Sequence, residues 1–178
     1  MGKNVLVISS SPRKKSNSNL LCDRFIDGAI KVGNQAEKIQ LKNCHIGYCI
    51  ACESCLKNGS KCWQNDDMVW IIEKLHQADV IVLATPVYKS CMCAQLKTFI
   101  DRMFAGNSTL VNKDFYFIAT AADSKAAIES TMESMSGCTF ALKGAQIKGK
   151  IYGANVMNQG EVRNTKAMDE AYDYGLHI

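Results

Sequence analysis

Short apolar runs alternate with amphipathic segments along most of this chain, and that alternation most constrains its fold. The runs at 4–9 and 78–84 are rich in Val, Ile and Leu and carry almost no charge, which predicts strands buried on both faces of a sheet. Further strands are predicted at 36–41 and 115–121, and a weaker one at 146–154.

Apolar side chains at helical spacing fill the stretches between these strands. In 20–32 they recur every three or four positions, and Gly33 follows as a typical C-terminal glycine. The other predicted helices run from Asp66-Asp67 through Leu75 and over 96–103, 125–142 and 165–174. Five strand–helix repeats predict an α/β fold, a parallel sheet with helices on both faces.

The length of 178 residues suits one domain, 1–178, in which a cysteine-rich segment at about 43–66 is an insertion. A net charge of +4 is spread along the chain, so a nucleic-acid partner is not expected. No apolar run reaches the length of a membrane span, and the N-terminal run is short for a signal peptide. We therefore expect a cytoplasmic protein with no membrane partner.

Ligands of such sheets bind at the carboxyl ends of the strands, which here are the loops at Ser10, Thr85 and Ala122. The first loop matches neither a dinucleotide fingerprint nor a nucleotide P-loop. It nevertheless places many donors before a helix N-terminus, where a phosphate is favoured. The same residues are common helix caps, so the pattern alone leaves both interpretations open. The candidate donors are Ser11, Arg13, Ser16, Asn17 and Ser18.

Three segments in order resemble the superfamily of NADPH-dependent FMN reductases and flavodoxin-like quinone reductases. S-S-P-R-K-K-S-N-S-N-L-L at 10–21 is similar to its G-S-P-R-x-x-G-N-T loop. T-P-V-Y-K-S at 85–90 resembles its flavin loop, and A-Q-L-K-T-F-I-D-R at 94–102 resembles the helix that follows. The chain departs from the family pattern where Ser10 and Ser16 replace glycines and Lys89 replaces an aromatic residue. The resemblance implies a flavodoxin-like fold with sheet order 2-1-3-4-5.

The resemblance also implies FMN as cofactor, NAD(P)H as electron donor, and a quinone, another small acceptor or a redox protein as partner. The five candidate donors of the first loop would hold the phosphate. The flavin itself would carry the chemistry, so no catalytic side chain is assigned. Family members usually form dimers or tetramers, which implies a homodimer or homotetramer. Residues implied along the flavin ring are Pro86, Val87, Tyr88 and Lys89 on one side and Thr120 and Ala121 on the other.

Four of the nine cysteines, Cys49, Cys52, Cys55 and Cys62, follow the spacing C-x2-C-x2-C-x6-C. The first spacings match those of ferredoxin-type cluster ligands. The segment also resembles the compact cysteine motif of iron–sulfur flavoproteins, a branch of the same superfamily. A 4Fe-4S cluster, zinc and metal-free thiols or disulfides all stay open. The alternative to a small-molecule oxidoreductase is an electron-transfer iron–sulfur flavoprotein without a small substrate.

Overall fold

The computed structural model describes residues 2–178, and a parallel sheet forms its centre. The strands are β1 (Asn4–Ser9), β2 (Gln35–Gln40), β3 (Val80–Tyr88), β4 (Cys91–Met92), β5 (Asp114–Thr120) and β6 (Gln146–Gly153). Five of them are parallel in the order β2-β1-β3-β5-β6, and the two-residue β4 pairs antiparallel with the end of β3. The predicted fold class and strand order are therefore confirmed, with β4 as an unpredicted addition.

Residues 2–178 form six α-helices, and all but the second, which is four residues long and has no buried residue, pack against the sheet. They are α1 (Asn17–Lys31), α2 (Ser54–Lys57), α3 (Met68–Gln77), α4 (Ala94–Met103), α5 (Lys125–Ser136) and α6 (Ala167–Leu176). One core lies between the sheet and α1 and α6, and a second lies between the sheet and α3, α4 and α5. The sheet is thus covered on both faces, as predicted.

Strand β1 shows why such apolar runs become central strands. Val5 and Val7 enter the core on the α1 side, and Leu6 and Ile8 enter the core on the opposite side. All four side chains are buried, because successive residues of a strand point to opposite faces. A strand covered on both faces needs apolar residues at every position.

Two glycines bring α1 and α6 into close contact. A Cβ on Gly28 would lie 2.3 Å from the backbone oxygen of Tyr172, and one on Gly175 would lie 2.2 Å from that of Phe25. No real Cβ approaches a backbone atom so closely, so these positions exclude larger residues unless the helices separate. The contact holds the C-terminal helix against the helix that follows the first loop.

Two boundaries differ from the predictions. The segment after 84 was expected to be a loop, but β3 continues through Pro86 to Tyr88 and turns tightly into β4. The helix predicted over 125–142 ends at Ser136, and a 3-10 turn follows from Gly137. Glycine is a weak helix former, and here it stands at the helix C-cap. In residues 2–178 we find no helix with the length and apolar character needed to cross a membrane.

Candidate functional site

A cleft of about 220 Å³ lies at the carboxyl edge of the parallel sheet. It is formed by the loop after β1, the ends of β3 and β5, and the loop after β6. Three of these four stretches are predicted from the sequence. The predicted residues that line it are Ser11, Arg13, Ser16, Asn17, Pro86, Val87, Tyr88, Thr120 and Ala121. The structure thus brings the first loop and both ring-side segments to one place.

The first loop presents hydrogen-bond donors at the N-terminus of α1. The Ser16 side chain caps the helix by accepting a hydrogen bond from Asn19 N–H at 3.2 Å. Among residues 2–178, the backbone N–H groups of Asn17 and Ser18 make no hydrogen bond. Free N–H groups and the positive end of the helix dipole favour an anion there. The donor set therefore suits a phosphate group.

A buried network beneath this loop fixes it to the sheet. Ser10 donates its hydroxyl to the carbonyl of Ala84 at 2.7 Å, and its backbone N–H binds the same carbonyl at 3.0 Å. The Cys93 thiol lies 3.1 Å from Ser10 Oγ, and the Cys93 N–H donates to Thr85 Oγ1 at 3.0 Å. Serine at position 10, where the family pattern has glycine, thus adds a bond from the loop to β3.

The end of β3 is held by a two-residue turn. Lys89 and Ser90 have φ angles of +50° and +61°, the left-handed conformation of a hairpin turn that suits the twist of its strands. Tyr88 precedes this turn, with 40% of its surface exposed at the cleft. Lys89 itself is exposed on the turn and does not line the cleft, so its proposed place beside the flavin stays a prediction.

The side chains of Asn17 and Ser18, which are predicted to bind the phosphate, contact other parts of the protein instead. The amide of Asn17 binds the loop after β6, which leaves its backbone N–H as the donor facing the cleft. Ser18 is fully buried, and its hydroxyl lies 3.3 Å from that of Ser16 rather than at the cleft surface. For both residues, the backbone N–H rather than the side chain is the donor available to a phosphate.

The fourth wall of the cleft was not predicted. Gly153, the last residue of β6, is paired with Thr120 of β5, so the loop after β6 reaches the same edge of the sheet. The sequence could have indicated this wall, because a fifth parallel strand must also have its carboxyl end, and the loop after it, at this edge of the sheet. The unpredicted lining residues are Ala122, Val156, Met157 and Gln159.

A second, larger cavity of about 550 Å³ lies against the cysteine-rich segment. All four predicted metal ligands line it, together with the partly buried Cys138. All nine cysteines of the chain are free thiols. Within residues 2–178 no three Cys, His, Asp or Glu side chains are grouped closely enough to hold a metal ion. The chemistry of the donors suits a cluster, whereas their spacing in this structure does not.

Arg102, at the end of α4, fastens both ends of the cysteine-rich segment. Its guanidinium is only 1% exposed in the ion pair with Asp66. It also donates to Gly47 O at 2.7 Å, before the first cysteine of the C-x2-C-x2-C-x6-C motif, and to Gln64 Oε1 at 3.2 Å, after the last. A weaker contact of 3.6 Å reaches Cys62 Sγ. These contacts close the segment into a loop on α4.

Burial separates the thiols by reactivity. It raises the pKa of Cys22 to about 12, and it raises the pKa of Cys138 to about 12 as well. Cys22 lies in the core between α1 and the sheet. A thiol is a nucleophile only as thiolate, so both of these groups are chemically inert near neutral pH.

Known proteins resemble this chain both in sequence and in fold. An iron–sulfur flavoprotein from Methanosarcina thermophila is 33% identical over 135 residues, 72% of this chain and 68% of the relative. One from Archaeoglobus fulgidus is 38% identical over 96 residues, 54% of this chain and 43% of the relative. The chain spans about half the length of several such curated relatives.

Solved structures confirm the flavodoxin-like fold. The NAD(P)H:quinone oxidoreductase of Methanothermobacter marburgensis superposes with a TM-score of 0.74 at 18% identity, over 99% of this chain and 96% of that one. An azoreductase from Bacillus anthracis gives 0.73 at 16% identity, over 99% and 100%.

The family model described as NADPH-dependent FMN reductase matches residues 3–158. This match confirms the resemblance drawn from the first loop and the T-P-V-Y-K-S segment, and FMN, the predicted cofactor, is the flavin named in the family's description. This chain therefore belongs to the NADPH-dependent FMN reductase family.

Proposed function

We propose that this protein is an oxidoreductase that binds FMN in the 220 Å³ cleft and passes electrons from NAD(P)H to a quinone or another small acceptor. The observation that carries the proposal is the convergence of the first loop, the end of β3 and the end of β5 on one cleft. Bound there, FMN would supply the redox chemistry, two-electron transfer between NAD(P)H and the acceptor. The family membership supports this class of reaction.

The residues of the cleft divide into two roles. Ser11, Arg13 and the backbone N–H groups at the start of α1 bind the phosphate, because they combine hydrogen-bond donors with positive charge. Pro86 and Tyr88 flank the ring from the β3 side. The buried network under the loop keeps the phosphate donors in place before the ligand arrives, which reduces the entropic cost of binding.

The experiment is a flavin and turnover assay on purified protein. Flavin released by heat should be FMN, at one per chain, and NADPH or NADH should be oxidised when a small quinone is added. A comparison of the two nucleotides gives the donor preference. Protein that neither carries FMN nor binds added FMN would overturn the proposal.

A second candidate function is electron transfer between proteins, as an iron–sulfur flavoprotein without a small substrate. Two observations favour it: the four motif cysteines line one cavity, and curated relatives carry that name. Since the thiols are not grouped for a metal in this structure, we derive no step through a cluster. Two measurements on anaerobically purified protein separate the two functions. Iron and sulfide without NADPH oxidation would indicate electron transfer between proteins, and steady-state NADPH oxidation with a small quinone would indicate the oxidoreductase.

A further inference from the structure

One side chain joins two walls of the cleft that are distant in sequence. The Asn17 amide nitrogen donates to Asn158 O at 2.9 Å and to Val156 O at 3.3 Å. Its oxygen accepts hydrogen bonds from Gly160 N–H at 2.9 Å and from Val162 N–H at 3.4 Å. Asn17 is buried, with 7% of its surface exposed, so water competes little for these bonds.

These four bonds use the full hydrogen-bonding capacity of the Asn17 side-chain amide. A carboxamide has two N–H donors and an oxygen with two lone pairs, and each has a protein partner here. The side chain is therefore not available to a ligand unless a bond to the loop breaks. Its backbone N–H, by contrast, has no acceptor in the part of the chain described and lies at the N-terminus of α1.

The segment that Asn17 holds has few other attachments. Its residues 155–160 lie between β6 and a 3-10 turn at Glu161–Asn164, and Asn155 and Gly160 adopt positive φ angles. Other backbone bonds tie only its first residues, Asn155 and Val156, to the loop after β5. The stretch from Met157 to Gly160 is fixed mainly by Asn17 and by bonds between Asn158 and Glu161.

We infer that Asn17 is a positioning residue: its side chain clamps the 156–162 segment so that Val156, Met157 and Gln159 form the fourth wall of the flavin cleft. The inference rests on the proposed function, since it assigns this wall to the flavin. Met157 is 72% exposed and lines the cleft, so its side chain is free to contact a ligand there. The Asn17 side chain therefore supports the ring through this wall and not the phosphate.

Paired titrations with FMN and riboflavin test this role, since riboflavin is the same ring system without the phosphate. For Asn17→Ala we expect Kd to rise by the same factor for both ligands, about tenfold, because the wall is loosened for both. Arg13→Ala is the matched phosphate-side control and should weaken FMN alone. An Asn17→Ala variant that loses FMN affinity but keeps wild-type riboflavin affinity would overturn the inference.

Amide hydrogen exchange on flavin-free protein tests the clamp independently of any ligand. Exchange at Gly160 and Val162 should accelerate at least fivefold in Asn17→Ala. It should accelerate in Asn17→Asp as well, because a carboxylate cannot donate to the carbonyl oxygens of Val156 and Asn158 and repels them. Unchanged exchange in Asn17→Ala overturns the clamp. Wild-type protein that binds neither flavin would refute the proposed function, and the exchange data would still decide the role of Asn17.

Discussion

Arg102 and Asp66 are joined by two parallel hydrogen bonds, Nη1 to Oδ2 at 2.6 Å and Nη2 to Oδ1 at 3.0 Å, and both side chains are almost completely buried. Asp66 also accepts the N–H groups of Gly47 and Met68, so one carboxylate joins the start of the cysteine-rich segment, α4 and the first turn of α3. Bidentate pairs with further hydrogen bonds are the strongest kind of ion pair.

Asp66→Asn should destabilise the protein by about 3–5 kcal/mol, because it leaves Arg102 buried without a counter-charge. Asp101→Asn is the matched control. It removes the exposed Lys97–Asp101 pair on the same helix and should change stability by less than about 1 kcal/mol. Urea denaturation measures both variants. Equal changes in stability would show that the buried Arg102–Asp66 pair stabilises the protein no more than the exposed pair does.

The same pair gives an acid-dependent stability. Burial opposes ionisation of Asp66, but hydrogen bonds from Arg102, Gly47 and Met68 outweigh it and hold the pKa of Asp66 below its ordinary value. A lowered pKa contributes stability that is complete above the unfolded value, about 4, and is lost as pH falls through the folded value. The free energy of unfolding should therefore fall below pH 4, and less steeply in Asp66→Asn. The measurement is the free energy of unfolding of both proteins as a function of pH. An equal decrease below pH 4 in wild type and Asp66→Asn would show that Asp66 is not the group responsible.

Gly28→Ala should destabilise the fold by about 1–3 kcal/mol, because the added Cβ meets the Tyr172 backbone oxygen and forces α1 and α6 apart. Gly137→Ala is the control. A Cβ there has only ordinary contacts at 4.0 Å, and φ is −56°, so the change should be neutral or slightly stabilising. Thermal melts of both variants decide the matter. A Gly28→Ala variant as stable as wild type would show that the helices separate at no cost.

The sequence pattern predicted best the strands that are buried on both faces. The apolar runs of β1 and β3 favour strands buried on both faces, so their type followed directly from the pattern, whereas the order of the strands in the sheet came from the family resemblance. The extension of β3 through Pro86 was missed because proline cannot donate to a ladder and normally marks the end of a strand. The following Lys-Ser turn also lacks the glycine or asparagine that indicates a tight hairpin.

The candidate site could be predicted only where its residues are close in sequence. The first loop and T-P-V-Y-K-S are local patterns and were found. Asn17 and Gly160 are 143 residues apart, and Arg102 and Asp66 are 36 residues apart, so neither relationship leaves a local pattern. Such contacts depend on how the loops meet after the sheet has formed.

Cys62→Ala should lower the iron content of anaerobically purified protein if the cysteine cavity holds a cluster, because Cys62 is one of the four thiols of the motif. FMN content should not change, since the cleft and this cavity have no lining residue in common. Cys44→Ala is the control, because Cys44 lies outside the motif and does not line the cavity. Iron-free wild-type protein would rule out the cluster and leave the FMN assignment intact.

The proposed FMN site is the cleft of about 220 Å³ and not the larger cysteine cavity. The same substitution in each cavity tests it most directly. Ala121→Leu adds volume to the cleft, and Ala141→Leu adds the same volume to the cysteine cavity. With folding verified by thermal melts, fluorescence titration of flavin-free protein measures the FMN Kd of each variant. We expect at least tenfold weaker FMN binding in Ala121→Leu and wild-type binding in Ala141→Leu, and the reverse order would contradict an FMN site in the cleft.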